Sequence, residues 1–522
     1  MWEVLILLCL AAHAPWLGLS ATTGTAGLAL RLLARDPAAA VLPALRRLPR
    51  GGGEPPAPRC RTLIAACVRL EDMGSVLPPL DRLLGDLRAG PGGDRFALGV
   101  LSDTPDGDAA TREAAAVARV AARHPAGAVL YRRRARNDGY KAGNVMDFLD
   151  RHADGFDFVL VLDADSRMSA EAVRRLVAAM EADPGLAILQ PTFGATGADT
   201  PLARITGFGH RHGMRVWATG QAWWQGPEGP YWGHNALVRV APFRAHCRLD
   251  PLPDGSPILS HDHVEAARLH GAGWAVRVWP DDLGSAERHP PDLVAMLGRD
   301  LRWAEGNMQW RHLLRRPELG RVGRLQMLQA ILHYALAPLT FALLPLAALN
   351  AATGGGAGTP RGALLALLAA GYGALLLPKL AGYAEALLRA EPAARPGLLR
   401  GMAQESLLSL LLDPVAALDR GATVLRLALG RHGGWAPQAR DARGVPWTAA
   451  LRRFGPHTAV GLALLAGFAA AGPFAALAAL PFVAGLVLAV PLCVATGRPD
   501  GVRRRPPRLA PRAQASRPAV PP

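Results

Sequence analysis

Lysine is almost missing from this 522-residue chain: of 58 basic residues, only Lys141 and Lys379 are not arginine. A compact ammonium and a planar guanidinium bind different groups, so a lysine kept against such a bias points to a particular task. Asparagine is nearly as scarce, confined to Asn137, Asn144, Asn235, Asn307 and Asn350. The five cysteines form no CxxC pair and are odd in number, which argues against a disulfide framework and a zinc ribbon. Acidic residues are in deficit, 42 against 58, and the net charge of +16 calls for an anionic partner. Nucleic acid is the weakest candidate, because the basic residues are spread along the chain and gather beside apolar segments. A phospholipid surface or a phosphorylated substrate remains. With half its residues apolar and 19% charged, the chain is too apolar for disorder and too charged for a bundle lying wholly in lipid.

Residues 4–30 contain no charge; Glu3 precedes them and Arg31, Arg35, Arg46, Arg47 and Arg50 follow. A cleaved signal peptide would put its positive charge first and use a shorter apolar core. The pattern predicts a transmembrane anchor over 1–33 with its basic flank in the cytoplasm, then a linker over 34–58 that ends in RGGGEPPAP. Residues 59–318 read as a soluble α/β domain. Apolar runs at 62–68, 96–102, 128–133 and 156–165 predict strands, and 75–89, 109–124, 143–152 and 170–182 predict the helices between them. That order is the signature of a mostly parallel sheet, whose ligands sit at the carboxyl ends of the strands. Beyond it, 325–349 and 362–380 predict a transmembrane helix pair within 319–400, and 457–497, broken at Gly472-Pro473, a transmembrane hairpin. Segment 403–430 carries Glu405, Asp413, Asp419, Arg420 and Arg426, so an amphipathic helix at the interface is expected within 401–456, followed by a cytosolic loop. The tail, 498–522, reads as disordered, basic and resting on anionic lipid.

The apolar strand VLVLDADS projects Asp163 and Asp165 to one side, because strand side chains repeat every two residues. Two hard oxygen ligands suit Mg²⁺ or Mn²⁺ carrying a diphosphate; a solvated turn capped by Ser166 is the alternative. LSD closes a second strand with Asp103. NDGYKAGN, 137–144, joins two of the five asparagines to Lys141 ahead of a helix, where backbone N–H groups and a point charge can meet phosphate; a merely solvated lysine fits equally. In LSHDHVEAARLHGAGW, Asp262 between two histidines is placed as a general base toward an alcohol, as a metal site with His261 and His263, or as a plain helix cap. RDLRWAEGNMQW sets Arg302, Trp303, Asn307 and Trp310 on a helix, where tryptophan can stack on a sugar and arginine can meet phosphate. An aromatic belt at the membrane is the other reading of Trp310. YWGHNALVRV adds Trp232 and Asn235 on a turn into a strand.

Taken in order, LSD, KAGN, LDADS, YWGHNA, SHDHVEAA and RWAEGN, followed by LLLPKL, ESLLSLLLDPV and WAPQARD, resemble the glucans biosynthesis glucosyltransferase H family over about residues 60–455. The resemblance implies a GT-A type, mostly parallel α/β domain joined to transmembrane α-helices, in the bacterial cell inner membrane with the catalytic domain in the cytoplasm. It implies a processive, inverting family-2 transferase, related to cellulose synthase, that builds the β-1,2 backbone of osmoregulated periplasmic glucans from UDP-glucose. Acyl carrier protein is implied as a partner beside the growing glucan and membrane lipid. Carried over by motif, Asp103, Lys141, Asp163 and Arg302 bind the nucleotide sugar, Asp165 binds Mg²⁺ or Mn²⁺, Asp262 is the catalytic base, and Trp303 with Trp232 holds the acceptor. The chain departs from its relatives in CVRLED, 67–72, which replaces a Tyr-Asn-Glu stretch and leaves Glu71 and Asp72 in its place. It departs also in SHDH for Thr-Glu-Asp, in Arg299 where cellulose synthase has Gln, and in one N-terminal span where relatives usually have two. A non-processive transferase acting on a lipid carrier and an inactive transferase-like scaffold or export channel are the alternatives.

Overall fold

The computed structural model describes residues 1–49, 53–197, 199–355, 361–431 and 442–499. Nine strands occur among them: β1 (Thr62–Val68), β2 (Phe96–Ser102), β3 (Val129–Arg133), β4 (Phe158–Asp163), β5 (Leu186–Pro191), β6 (Gly194–Thr196), β7 (Ala236–Arg239), β8 (Ala275–Trp279) and β9 (Ala286–Arg288). Seven form one sheet in the order β3-β2-β1-β4-β7-β5-β8, in which only β7 runs antiparallel to its neighbours; β6 and β9 form a small parallel pair.

Near-continuous apolar runs become central strands when helices cover both faces, and the side chains divide accordingly. Ile64, Ala66, Phe158, Leu160 and Leu162 enter a core with Leu80, Leu84, Val173 and Leu176 from the helices Met73–Ala89 and Ala170–Ala182. Leu63, Ala65, Val159 and Val161 enter the opposite core with Val145, Phe148, Leu149 and Leu269 from Tyr140–His152 and Asp262–Gly271. The four predicted strands and four predicted helices of this half are present within a few residues.

In the second half of the sheet β7 follows the turn expected at YWGHNALVRV, whereas sequence patterning passed over β5, β8 and the 25-residue helix Pro201–Gln225. That helix carries Gly207, Gly209, Gly213 and Gly220, which read as breakers, yet three of them are contact points, Gly207 against Ala195, Gly209 against Glu405 and Gly220 against Thr23. A Cβ on Gly220 would lie 1.9 Å from the Thr23 carbonyl oxygen, and one on Gly27 would lie 1.9 Å from that of Val216. The N-terminal helix Trp2–Leu33 therefore crosses Pro201–Gln225 backbone against backbone, which only small residues permit.

Among the described residues three helices are long and apolar enough to cross a membrane: Trp2–Leu33, Arg321–Ala352 and Trp447–Ala471. The helices Pro473–Val487 and Ala489–Thr496, bent by 56°, make a fourth if taken together. The run 362–380 lies inside the helix Arg361–Arg389. All but the last two residues of segment 403–430 lie in one 34-residue helix, Arg395–Ala428, which continues through Pro414. Asp413 and Arg426 are exposed, but the other three charges that suggested an interface helix are turned inward: Glu405 meets Lys379 at 2.9 Å, Asp419 meets His457 at 3.0 Å, and Arg420 meets Asp300 at 2.6 Å. Leu407 and Leu425 point outward instead. Part of the expected linker, 34–58, is also packed. Asp36 caps the short helix Pro37–Val41, and Leu42 is wholly buried in the core. The motif WAPQARD, 435–441, and the tail from 500 onward lie outside the described residues.

Overpacking at the helix crossing should be costly. Gly220→Leu is expected to lower stability by about 3 kcal/mol or more. Gly85→Ala, in the helix Met73–Ala89 with nothing within 4 Å of the added methyl, should raise it by about 0.5–1 kcal/mol. Thermal unfolding of both variants in detergent checks the pair.

Candidate active site

The parallel register sets the frame. Cys67 pairs with Asp163 and Val68 with Ser102, so Asp163 at the end of β4 and Asp103 just after β2 flank the carboxyl end of β1. The turn after β4 closes on itself: the Asp163 N–H donates to Ser166 Oγ and the Ser166 N–H to the Asp163 carbonyl, both at 3.0 Å. Ala164 is thereby buried, while Asp163 and Asp165 stay half-exposed on the other side.

Lys141 lies in the first turn of Tyr140–His152, behind Gly139 in the left-handed region at φ +66°. Its Nζ contacts Asp163 Oδ1 and donates to the Gly233 carbonyl at 2.6 Å. Burial alone would lower its pKa, but the Asp163 carboxylate outweighs this and raises it, so the ammonium persists. Gly233, at φ +80°, approaches Asp262 so closely that a Cβ there would sit 3.5 Å from Asp262 Oδ2. Lys141, Asp163 and Asp262 are thus gathered around one glycine. Gln190 of β5 pins this turn, accepting from the Trp232 N–H at 3.0 Å and donating to the Pro230 carbonyl at 2.8 Å.

Asp262 is the first residue of its helix; the capping position belongs to His261 and no side chain caps it. The plain-cap reading therefore falls away. Burial pushes the Asp262 carboxyl up, while the side chain and backbone N–H of His263, with His261, more than reverse this and bring it to about 2. The backbone contact is a 3.1 Å hydrogen bond, and His263 Nδ1 stands 3.8 Å away. His261 turns to Glu265 at 2.8 Å, and no group of three metal-ligating side chains occurs among the described residues, so the His-Asp-His metal reading finds no support. A Cβ on Gly306 would lie 2.1 Å from Ser260 Oγ, which presses the helix Leu293–Gln309 onto the residues before Asp262. Trp310 is buried, donates to the Ser260 carbonyl at 2.9 Å and packs against His263 in a tilted ring contact at 4.9 Å. It belongs to neither a membrane belt nor a sugar platform.

Asp103 is buried, and Arg134 grips both its carboxylate oxygens, one of them at 3.0 Å. The same guanidinium bonds the Asp138 and Tyr140 carbonyls at 2.7 and 2.6 Å, so it also shapes the loop ahead of Lys141. Asp72 is committed to capping Met73–Ala89 through the Gly74 N–H at 3.0 Å. On Leu293–Gln309, Arg302 is half-buried and Trp303 is exposed, with the Arg299 guanidinium 4.8 Å over its ring.

Pattern reading missed Arg134, hidden in the basic run YRRRAR, and Glu287 of the smaller sheet with its partner His234. His234 Nε2 lies 2.8 Å from Glu287 Oε2, a contact of opposite charges rather than a linear hydrogen bond, and Arg299 lies 3.6 Å from Glu287 Oε1. The left-handed Asn235, fully buried, donates to Ser285 Oγ at 2.9 Å. The scarcity of asparagine had singled out Asn235 in the sequence; its serine partner fifty residues on is what the sequence did not show.

A cavity of about 210 Å³ lies behind His263. Trp16 of the N-terminal helix, Trp217 and Gln221 of Pro201–Gln225, Asn307 and Gln329 line it, and its walls offer amides and aromatic rings without a carboxylate, lysine or arginine.

The profile of glycosyl transferase family group 2 matches residues 158–377, from β4 past Asp262 into the apolar helices. Glucans biosynthesis glucosyltransferase H of Caulobacter vibrioides is 35% identical over 469 residues, covering 84% of this chain and 70% of that protein. The chain belongs to the glucans biosynthesis glucosyltransferase H family. The member from Pseudomonas putida strain W619 is 36% identical over 473 residues, and this chain spans 55% of its length. A solved mannosyltransferase from Pyrobaculum calidifontis, in complex with GDP-Man and Mn²⁺, aligns over 80% of the chain at 17% identity with a TM-score of 0.42. A family-2 glycosyltransferase domain on a mostly parallel α/β sheet, joined to apolar helices, is the architecture of this glucosyltransferase H relative.

Within it, His234 supplies a pH dependence. Burial pushes its imidazole down from 6.5, whereas Glu287 chiefly and Asp163 pull it up and Lys141 opposes them, for a value of about 9; His210 and Arg299 are the other titratable neighbours. A raised pKa stabilises the fold fully below 6.5 and loses that contribution as pH climbs through 9. Each tenfold gain in proton affinity on folding contributes about 1.4 kcal/mol. The stability advantage of wild type over His234→Gln should therefore be a few kcal/mol near pH 6 and should vanish above pH 9. Thermal unfolding across that range tests it.

Proposed function

We propose that this chain moves glucose from UDP-glucose onto a growing glucan, processively building the β-1,2 backbone of osmoregulated periplasmic glucans with inversion at the anomeric carbon. The observation that carries the reading is the chain of contacts from Asp163 through Lys141 and Gly233 to Asp262, which sets a cation between a strand-end carboxylate and an ionised carboxylate at a helix start. Asp103 and Asp163 face the nucleotide, and Lys141 with Arg302 stabilises the departing diphosphate. Asp262 accepts the proton of the acceptor hydroxyl; that oxygen bonds to the anomeric carbon as the bond to the diphosphate breaks and UDP leaves with the electron pair. Trp303 and Trp232 offer ring faces to the acceptor sugar.

The donor set also fits a divalent cation. Asp165, two residues beyond Asp163 in the same turn and half-exposed, is the carboxylate that would hold Mg²⁺ or Mn²⁺. Such ions are commonly held by one or two carboxylates plus substrate phosphates rather than by a protein cage. When bound, the ion neutralises charge on the diphosphate. The cavity behind His263, lined by amides and rings, suits an uncharged polyhydroxylated chain moving toward the membrane helices. Basic residues from Arg31 to Arg47 after the N-terminal helix favour a cytoplasmic catalytic domain in a bacterial inner membrane, in contact with lipid. Acyl carrier protein is a proposed partner through the family resemblance alone.

Asp262→Asn should keep UDP-glucose binding and slow transfer by about 10²–10⁴-fold; turnover at the wild-type rate would remove Asp262 from the mechanism. Asp165→Ala should weaken the Mn²⁺-dependent part of nucleotide binding, measured by titrating the metal at fixed nucleotide, and an unchanged titration would remove Asp165 from the metal. Linkage and length analysis of the polymer made from labelled UDP-glucose tests the reaction as a whole. A single sugar on a lipid would replace it with the carrier-directed reading, and no UDP release would leave a scaffold.

A further inference from the structure

Both tryptophans assigned to the acceptor are connected to the same buried side chain. Glu287 sits in the middle of β9, and its carboxylate is 14% exposed. One oxygen meets His234 Nε2 at 2.8 Å, and the other faces Arg299 at 3.6 Å. Each cation then touches a tryptophan unit. His234 Nδ1 lies 2.9 Å from the Trp232 carbonyl, and the Arg299 guanidinium covers the Trp303 ring at 4.8 Å. Phe193 packs on the His234 ring at 5.1 Å, which limits how far the imidazole can turn.

We propose that Glu287 is a positioning residue for the acceptor platform, ordering Trp232 through His234 and Trp303 through Arg299. The proposal rests on the reading that Trp232 and Trp303 hold the acceptor sugar. Trp303 is 45% exposed and has little packing of its own to fix its ring plane. A guanidinium lying over the face restricts that plane, provided the guanidinium is itself anchored. Arg299 has its anchor in Glu287, and the departure from the glutamine of cellulose synthase at this position becomes intelligible: a neutral amide would neither stack as a cation nor need the carboxylate. Two cations on one carboxylate leave an excess positive charge, and Asp163 is the further carboxylate acting on His234. The platform and the donor turn are therefore electrostatically joined.

The test uses the full chain in detergent, wild type against Glu287→Gln, an isosteric change that removes only the charge. With a short β-linked glucose oligomer as acceptor, its KM should rise about tenfold, a loss of about 1.4 kcal/mol, while the KM for UDP-glucose changes less than twofold. Arg299→Leu should show the same split, and Arg299→Lys should recover part of it. An equal rise in both KM values, or an unmoved acceptor KM, overturns the proposal. Fluorotryptophan ¹⁹F NMR gives a second readout that needs no turnover. The Trp232 and Trp303 resonances, assigned by single Phe replacements, should shift in Glu287→Gln while that of the buried Trp310 stays in place. Unmoved Trp232 and Trp303 signals overturn the proposal even if the enzyme is active. A wild type that releases no UDP, with those two signals shifted, overturns the transferase reading and keeps the wiring.

Discussion

The contact on which the site depends is that of Lys141 with Asp163 and the Gly233 carbonyl. Three segments distant in sequence end at this point: the first turn of a helix, the end of β4 and the turn before β7. Bringing Asp163 and Asp262 into one place costs electrostatic energy, because like charges in a partly buried site repel. A single ammonium between them offsets that repulsion, and its compact head reaches a carbonyl that a guanidinium fork could not approach in the same way. The chain's avoidance of lysine makes sense of its exception here. Gly233 is equally constrained, since it takes a left-handed conformation and has no room for a side chain larger than the contact with Asp262 allows.

The same use of buried charge recurs where the catalytic domain meets the apolar helices. Arg31, at the end of the N-terminal helix, is buried between Glu385 and Asp281, and Arg215 shares the Asp281 carboxylate at 2.8 Å. Asp300, between Arg299 and Arg302 on the helix that carries Trp303, is held by Arg420 from Arg395–Ala428. Ion pairs at such junctions contribute little net stability, since desolvation cancels most of the attraction, but losing one partner leaves a buried charge and is costly. They therefore fix how the helices dock more than how tightly they hold. This explains why Glu405, Asp419 and Arg420 occur in a segment that is otherwise apolar.

How much of this was legible in the sequence varies with the range of the interaction. β1 to β4 and their helices were plain because each strand is an apolar run bounded by turn residues, and the alternation into two cores follows from the two-residue repeat. Asp163, Lys141 and Asp262 were found through local oddities: paired carboxylates, a rare lysine, an aspartate between histidines. Their meeting at Gly233 was not readable, because it depends on β7 entering the sheet antiparallel between β4 and β5, far from its sequence neighbours. The helix Pro201–Gln225 was hidden because its glycines, unfavourable for an isolated helix, serve contacts with Thr23 and Glu405 that lie elsewhere in the chain. Glu287 was an unremarkable acid in a three-residue strand. Only its two cations give it significance.

The depressed pKa of Asp262 bears directly on the proposed chemistry. A carboxylate held near 2 is a weak base toward an alcohol, and deprotonating the acceptor in advance would be steeply uphill. In a displacement at an anomeric carbon, however, the acceptor oxygen becomes acidic as its bond to that carbon forms, so the proton moves late and the base need only be ionised and aligned. His263 and His261 secure ionisation, while Gly233 and the packing of Gly306 on Ser260 secure alignment. An imidazole in the place of Asp262 would be a stronger base but would also titrate near neutrality, and protonated it would repel Lys141. On this argument the site gives up base strength for a charge that never leaves, and that sacrifice is offset only if the acceptor is held rigidly enough for a late proton transfer to find its acceptor oxygen in line.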